Sequence, residues 1–225
     1  MLSRFFHKRN LEVKEELFTN KQTPIKTNLP NMKILLMADF HMLSNDEFRQ
    51  LSNLQYGVDY DICFLLGDIE LNDLKDIKNV IRNVYGVTGN HDAKDLLKMV
   101  EIEDINGKSV DCDGIRIAGL SGSFKYKDND YVSMLTQQES SYICDNLPAA
   151  DIFITHDSGH YQVSDEYAHQ GLIGITEYIE RNRPALHFYG HHHENRFDLI
   201  ENTNSFCVYK CSILDTETME IHNLF

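Results

Sequence analysis

The sequence predicts an α/β domain with a largely parallel sheet, on three observations. From Lys33 onward, short apolar runs of strand length alternate with segments whose apolar residues recur at helical spacing. Runs such as Ile34–Met37 and Ile62–Leu66 are apolar throughout, the pattern of strands buried on both faces. Asp113-Gly114 and several short C-terminal strands point to antiparallel additions or a second sheet.

Residues 1–31 read as an appendage. They carry mixed charge, and Pro24 and Pro30 stand near their end, with Thr and Asn between. Leu11, Glu15 and Phe18 share one helical face and predict a short helix over 11–18. The basic start has no long apolar core and no small-residue cleavage site, so no secretory signal is expected. The domain is expected over residues 32–225.

Strands are expected at Ile34–Met37, Ile62–Leu66, Val84–Val87, Ile152–Ile154 and Leu186–Tyr189. Helices are expected over Asp46–Gln55, where Phe48, Leu51 and Leu54 share a face, and near Leu74–Ile81, Lys94–Met99 and Gly174–Arg181. Val110–Cys112 and Ile115–Ala118 flank the Asp113-Gly114 turn and should form a hairpin. Thr136-Gln137-Gln138-Glu139 is a capping box that opens a helix running to about Leu147, before Pro148. Phe206–Tyr209, Ser212–Leu214 and Met219–His222 are expected as closing strands.

Composition sets aside other classes. With 225 residues, 42% hydrophobic and 25% charged, the chain is globular rather than disordered, collagen-like or a disulfide scaffold. No apolar run approaches the roughly 18–20 residues of a membrane span. Lys and Arg number 21 against 35 Asp and Glu, a net charge of -14, which argues against a broad basic face for nucleic acid. The five Cys are odd in number, form no CxxC pair and sit partly in apolar runs. They read as reduced thiols of a cytoplasmic protein.

The informative pattern lies at strand ends. Five apolar strands run into Asp39-Phe40-His41, Gly67-Asp68, Gly89-Asn90-His91-Asp92, His156 and Gly190-His191-His192-His193. The carboxyl ends of parallel strands share one sheet edge, where ligands bind, so these clusters should converge. Without a Cys among them they do not resemble a structural zinc cage; imidazole and carboxylate suit Mn, Fe, Zn, Ni or Co. Asp39, His41, Asp68, Asn90, His156, His191 and His193 are seven candidate ligands, enough for two divalent ions if one carboxylate bridges. Asp68 is the candidate bridge, because Gly67 beside it leaves room for close approach. Two such ions would clamp a phosphate and generate a hydroxide near neutral pH.

This ordered set resembles the calcineurin-like metallophosphoesterase superfamily, whose motifs run DxH, GD, GNH followed by D or E, a later H, then GHxH. The resemblance extends from about residue 32 to the C-terminus. It implies a four-layer α/β/β/α sandwich with a dinuclear centre at the strand ends. Asp39, His41, Asp68 and His193 would hold one ion, and Asp68, Asn90, His156 and His191 the other. His91 would stand over the phosphate as general acid rather than as a ligand, and a metal-bridging hydroxide would be the nucleophile.

Departures from the motifs narrow the expectation. The protein phosphatase branch carries GDxxDRG and GNHE; here the run is Gly67-Asp68-Ile69-Glu70-Leu71-Asn72-Asp73, with Asp92 after Gly89-Asn90-His91. The phosphate-gripping Arg is missing. A small-molecule phosphodiester is therefore expected over a phosphomonoester or a phosphoprotein. The strand and turn around Gly114–Gly122 resemble several diesterase branches, including RNA-lariat debranching enzymes. A nuclease or RNA-processing phosphodiesterase is the alternative, disfavoured by the charge. A non-catalytic scaffold is a minor one, since every ligand position and His91 are present. Ser121, Ser123, Lys125 and Tyr126 form a candidate substrate loop. His160 and His169 are candidates for the pocket rim. His192 is expected to point away from its neighbours if its segment is extended. His187 is expected in the core, and His7 and His222 at the surface.

Overall fold

The computed structural model describes residues 22–40, 42–160 and 167–225. Expectations for His41, His7 and the helix over 11–18 fall outside these.

Two mixed six-stranded sheets form the body. The first holds β1 (Lys33–Ala38), β2 (Ile62–Leu65), β3 (Val84–Gly86), β4 (Glu103–Asp104), β13 (Lys210–Asp215) and β14 (Glu220–Asn223), in the order β14-β13-β1-β2-β3-β4. The second holds β5 (Ser109–Cys112), β6 (Ile115–Leu120), β9 (Ile152–Thr155), β10 (Leu186–Tyr189), β11 (Arg196–Ile200) and β12 (Thr203–Cys207), in the order β11-β12-β10-β9-β6-β5. Strands β1 to β4 run parallel, as do β12, β10, β9 and β6; the antiparallel strands lie outside them. A small parallel pair, β7 (Ser123–Phe124) and β8 (Met134–Leu135), stands apart.

The five strands that precede the polar clusters are thus divided, three in one sheet and two in the other. The alternation along β1 shows why each is apolar on both faces. Ile34, Leu36 and Ala38 pack between the sheets, against Ile117, Ile154, Phe188 and Phe206. Leu35 and Met37 face outward onto α1 (Asn45–Ser52), α2 (Leu71–Val80) and α3 (Leu96–Met99). On the other side Phe153 and Leu120 pack on α4 (Gln137–Asn146) and α5 (Ile173–Asn182). The layers are therefore α/β/β/α, with Phe64 and Phe188 meeting across the middle at 6.1 Å between ring centroids.

Local signals set the element ends. The expected capping box opens α4, with Thr136 and Glu139 bonding each other's backbone N–H. A second box, Ser44 with Glu47, opens α1. At the β5–β6 turn Asp113 and Gly114 both take positive φ (52° and 85°), as a two-residue hairpin loop requires. Ahead of β1 the chain lies along the second sheet: Ile25 exchanges two hydrogen bonds with Asn204, and Gln22 Oε1 accepts the Leu199 N–H.

Candidate metal centre

The carboxyl edges of the two sheets meet at the centre. Within the first sheet the Asp39 N–H donates to the Gly67 carbonyl at 3.0 Å; within the second the Gly190 N–H donates to the His156 carbonyl at 3.0 Å. Among the bonds that join the sheets are His156 Nδ1 to the Leu66 carbonyl at 2.8 Å and the His191 N–H to Asp39 Oδ2 at 2.9 Å. Clusters more than 150 residues apart in sequence are brought together in this way.

The backbone bends sharply to aim these side chains inward. Asp39, Asp68, His191 and His193 all take left-handed φ, at 57°, 53°, 69° and 52°. Such non-glycine conformations cost on the order of 1–3 kcal/mol each and persist where the surroundings impose them. The motif glycines give the room. A Cβ on Gly89 would stand 2.1 Å from Asp68 Oδ1, and one on Gly67 2.4 Å from the Gly89 nitrogen.

Asp39, Asp68, Asn90, His156 and His191 are all buried. Ligand atoms of Asp68, His156 and His191 lie within 4.8 Å of one another, close enough to hold one ion. His156 Nε2 is 2.9 Å from Asn90 Oδ1 and 3.4 Å from Asp68 Oδ2. Its Nδ1 faces a carbonyl and so carries the hydrogen, which directs Nε2 to the centre. His191 Nε2 faces the Ala168 carbonyl at 3.1 Å, which leaves Nδ1 as its lone-pair atom.

The electrostatics show that this set fits a cation. Burial works against a charge on His156, yet the Asp68 carboxylate, with Asp39 and the Leu66 carbonyl, raises its pKa to about 10. Burial likewise opposes ionisation of Asp68, but His156 and the His91 N–H hold its carboxyl well below the usual range. His191 is kept neutral by burial and by the His156 charge. Asp39 Oδ1 is buried and has no hydrogen-bond partner among the described residues, with His193 Nε2 3.6 Å away. A carboxylate oxygen without a partner among the described residues, amid converging lone pairs, is a donor set that could hold a metal ion.

The other expected residues differ in exposure and in contacts. His193 is half-exposed on the rim, its ring tilted against that of Tyr209, and the Asp39 carboxylate raises its pKa. His91 is exposed, while its backbone N–H donates to Asp68 Oδ1 at 2.8 Å. Ser121 and Ser123 are buried: Ser121 Oγ accepts the Thr88 N–H, and Ser123 Oγ donates to the Phe124 carbonyl. Lys125 and Tyr126 line a separate open cavity with Lys127 and Gln138. His169 meets His191 and His192, with ring centroids 4.7 and 5.1 Å away. His160 is exposed and bonds the Gln170 carbonyl. His187 is fully buried between Thr155 and Ser205, and burial pushes its pKa down to about 3. The 190–193 segment is bent rather than extended, since the His192 N–H donates back to the Gly190 carbonyl. His192 consequently packs on His169 and Tyr189 and bonds Ser158. His222 lies half-exposed, 3.9 Å from Glu220.

The structure gives three residues, Asp92, Asp157 and Tyr126, a supporting role. Asp92 Oδ2 accepts the N–H groups of Asp68 and Gly89 at 2.7 and 2.8 Å, tying two strand ends together. Burial, then the Asp68 charge, raises its pKa to about 6. Its signal was the acidic residue after Gly89-Asn90-His91. Asp157, raised to about 6 by burial, accepts the Phe124 and Ser158 N–H groups and anchors the 123–126 loop. No sequence pattern marked it. Tyr126 Oη accepts from Asn90 Nδ2 at 3.2 Å, so the Asn90 oxygen is turned to the centre. Tyr126→Phe is expected to weaken one ion roughly tenfold or more, as losses of outer-shell partners do, in a metal titration. Unchanged affinity would show that Asn90 needs no such support.

Residues 32–209 match the Calcineurin-like phosphoesterase superfamily domain. No curated protein sequence matches. Among solved structures, TT1561 of Thermus thermophilus superposes with a TM-score of 0.65 at 13% identity, over 87% of this chain and 100% of that one. Phosphopantetheinyl hydrolase from Mycobacterium tuberculosis gives 0.57 at 10% identity, over 79% and 89% of the two chains. At these identities the superpositions speak for the fold, whereas the sequence match spans most of the chain and its strand-end motifs. This chain belongs to the calcineurin-like phosphoesterase superfamily.

Proposed function

We propose that the protein hydrolyses a phosphodiester of a small molecule, with two divalent ions held at the joined sheet edges. The observation that carries this reading is the buried, acceptor-rich floor, with an Asp39 oxygen that has no hydrogen-bond partner among the described residues, beside an exposed imidazole. Asp39, His41, Asp68 and His193 would hold one ion, and Asp68, Asn90, His156 and His191 the other. When bound, the ions, Mn or another of Fe, Zn, Ni and Co, would neutralise the phosphate and lower the pKa of a water.

The chain's own groups supply the rest. Asp68 reaches both sides: its Oδ2 faces His156, and its charge acts on His193. Its Oδ1 accepts the His91 N–H, and Asp68 would be the ligand shared by both ions. His91, solvent-facing and anchored by its backbone, is placed to give a proton to the leaving oxygen. The position of the missing Arg is Asn72, which lines the cavity beside His91 with Glu70. A substrate phosphate thus meets no guanidinium there, which favours a singly charged diester over a doubly charged monoester. All five thiols are unpaired, consistent with a cytoplasmic location. Among the described residues no helix is long and apolar enough to cross a membrane.

Asp68→Asn tests the arrangement. It is expected to weaken both ions, whereas Asp39→Asn chiefly weakens one, by elemental analysis after dialysis. An Asp68→Asn protein that retains two tight ions would refute the bridge. A metal-loaded wild type that cleaves monoesters but no diester would refute the substrate class.

A further inference from the structure

We propose that the cavity beside His91 receives the departing alcohol and that Glu70 makes it favour an alcohol carrying a positive charge. This rests on the reading of His91 as the proton donor, because the group next to that imidazole is then the one that leaves.

The cavity has a volume of about 570 Å³ and opens where His91, Asp68 and Asp92 meet the start of α2. Its walls are largely apolar, from Phe40, Ile69, Leu71 and Leu96, and its polar side chains beyond the centre are Glu70 and Asn72. Among the described residues, no Lys or Arg lines it. An alcohol bearing a carboxylate or a further phosphate would find no Lys or Arg among the described lining residues and would find Glu70 among them.

Glu70 is exposed and stands at the N-cap of α2, where its side chain makes no capping hydrogen bond. Its carboxylate is therefore not consumed by the helix end. Asp73 lies near enough for the Glu70 charge to act on it. A short apolar body with a protonated amine matches such a lining: the carbons meet the Phe40 and Leu71 walls and the ammonium meets Glu70. The competing role for Glu70 is a favourable charge at a helix N-terminus, which would affect stability and leave substrate choice alone.

The test uses the metal-loaded full chain and three methyl phosphodiesters whose second alcohol is 2-aminoethanol, ethanol or glycolate. Release of methyl phosphate reports departure of the second alcohol. The expected order of kcat/KM is aminoethyl, ethyl, carboxymethyl. The extremes should differ by about tenfold, the scale of one partly screened attraction plus one repulsion, and the ratio should shrink in high salt. Glu70→Gln should bring that ratio toward the intrinsic one, and Glu70→Lys should reverse the preference. Intrinsic differences between the alcohols cancel when variants are compared. A ratio that is the same in the wild type and Glu70→Lys overturns the inference while the hydrolase reading stands. Hydrolysis of none of the three, nor of bis(4-nitrophenyl) phosphate, overturns the hydrolase reading and the inference with it.

Discussion

Metal-stripped protein is expected to lose phosphoester hydrolysis entirely, and Mn(II) or a similar ion is expected to restore it. The reason lies in the floor of the site. Ligand atoms of Asp68, His156 and His191 lie within 4.8 Å of one another, and an Asp39 oxygen has no hydrogen-bond partner among the described residues. Without a cation the structure draws a proton onto His156. Loading should therefore displace that proton. Below a pKa of about 10 the His156 proton competes with the ion, so affinity should rise with pH through neutrality. Calorimetry in buffers of different ionisation enthalpy reads the release of a proton. Binding should also raise the thermal midpoint, since an ion at 100 times its Kd stabilises the folded state by about 2.7 kcal/mol. Full activity in protein shown by elemental analysis to be free of metal would rule the mechanism out.

His91→Ala is expected to keep the fold and both ions while losing about 10²–10⁴-fold in kcat, the usual worth of general acid catalysis. Retention of metal follows from a main-chain detail. His91 touches Asp68 through its backbone N–H at 2.8 Å, a contact that alanine preserves. The exposed imidazole makes no hydrogen bond to the metal floor among the described residues, so its removal should cost chemistry and not structure. The deficit should shrink toward unity for a nitrophenyl ester, whose leaving group needs little protonation, and persist for an alkyl ester. An equal loss on both esters would point to charge stabilisation at phosphate instead. Loss of one ion on mutation would make His91 a ligand. An unchanged rate on an alkyl ester, with metals intact, would remove it from the mechanism.

The sequence by itself determined the elements and the chemistry they carry. Apolar runs of four to six residues became strands because their length and two-sided apolarity leave no other buried element. Thr136 with Glu139, and Asp113-Gly114, announced a helix start and a hairpin turn because those signals act within a few bonds of the backbone they shape. The strand-end Asp, Asn and His residues were legible for the same reason: each lies within about four residues of the end of its strand.

Only the tertiary structure decided which sheet each strand joins. A strand apolar on both faces says that it is covered twice, without saying by what, so one sheet and two could not be told apart from the runs alone. That division matters, because the centre lies between two sheet edges rather than along one. Tertiary packing also decided which residues support the ligands. Tyr126 reaches Asn90, Asp157 holds the Phe124 N–H, and Ser121 turns inward to Thr88. These contacts join distant segments and leave no period or spacing to read. Glu70 and Asn72 gain meaning in the same way, through the cavity that folding places beside His91.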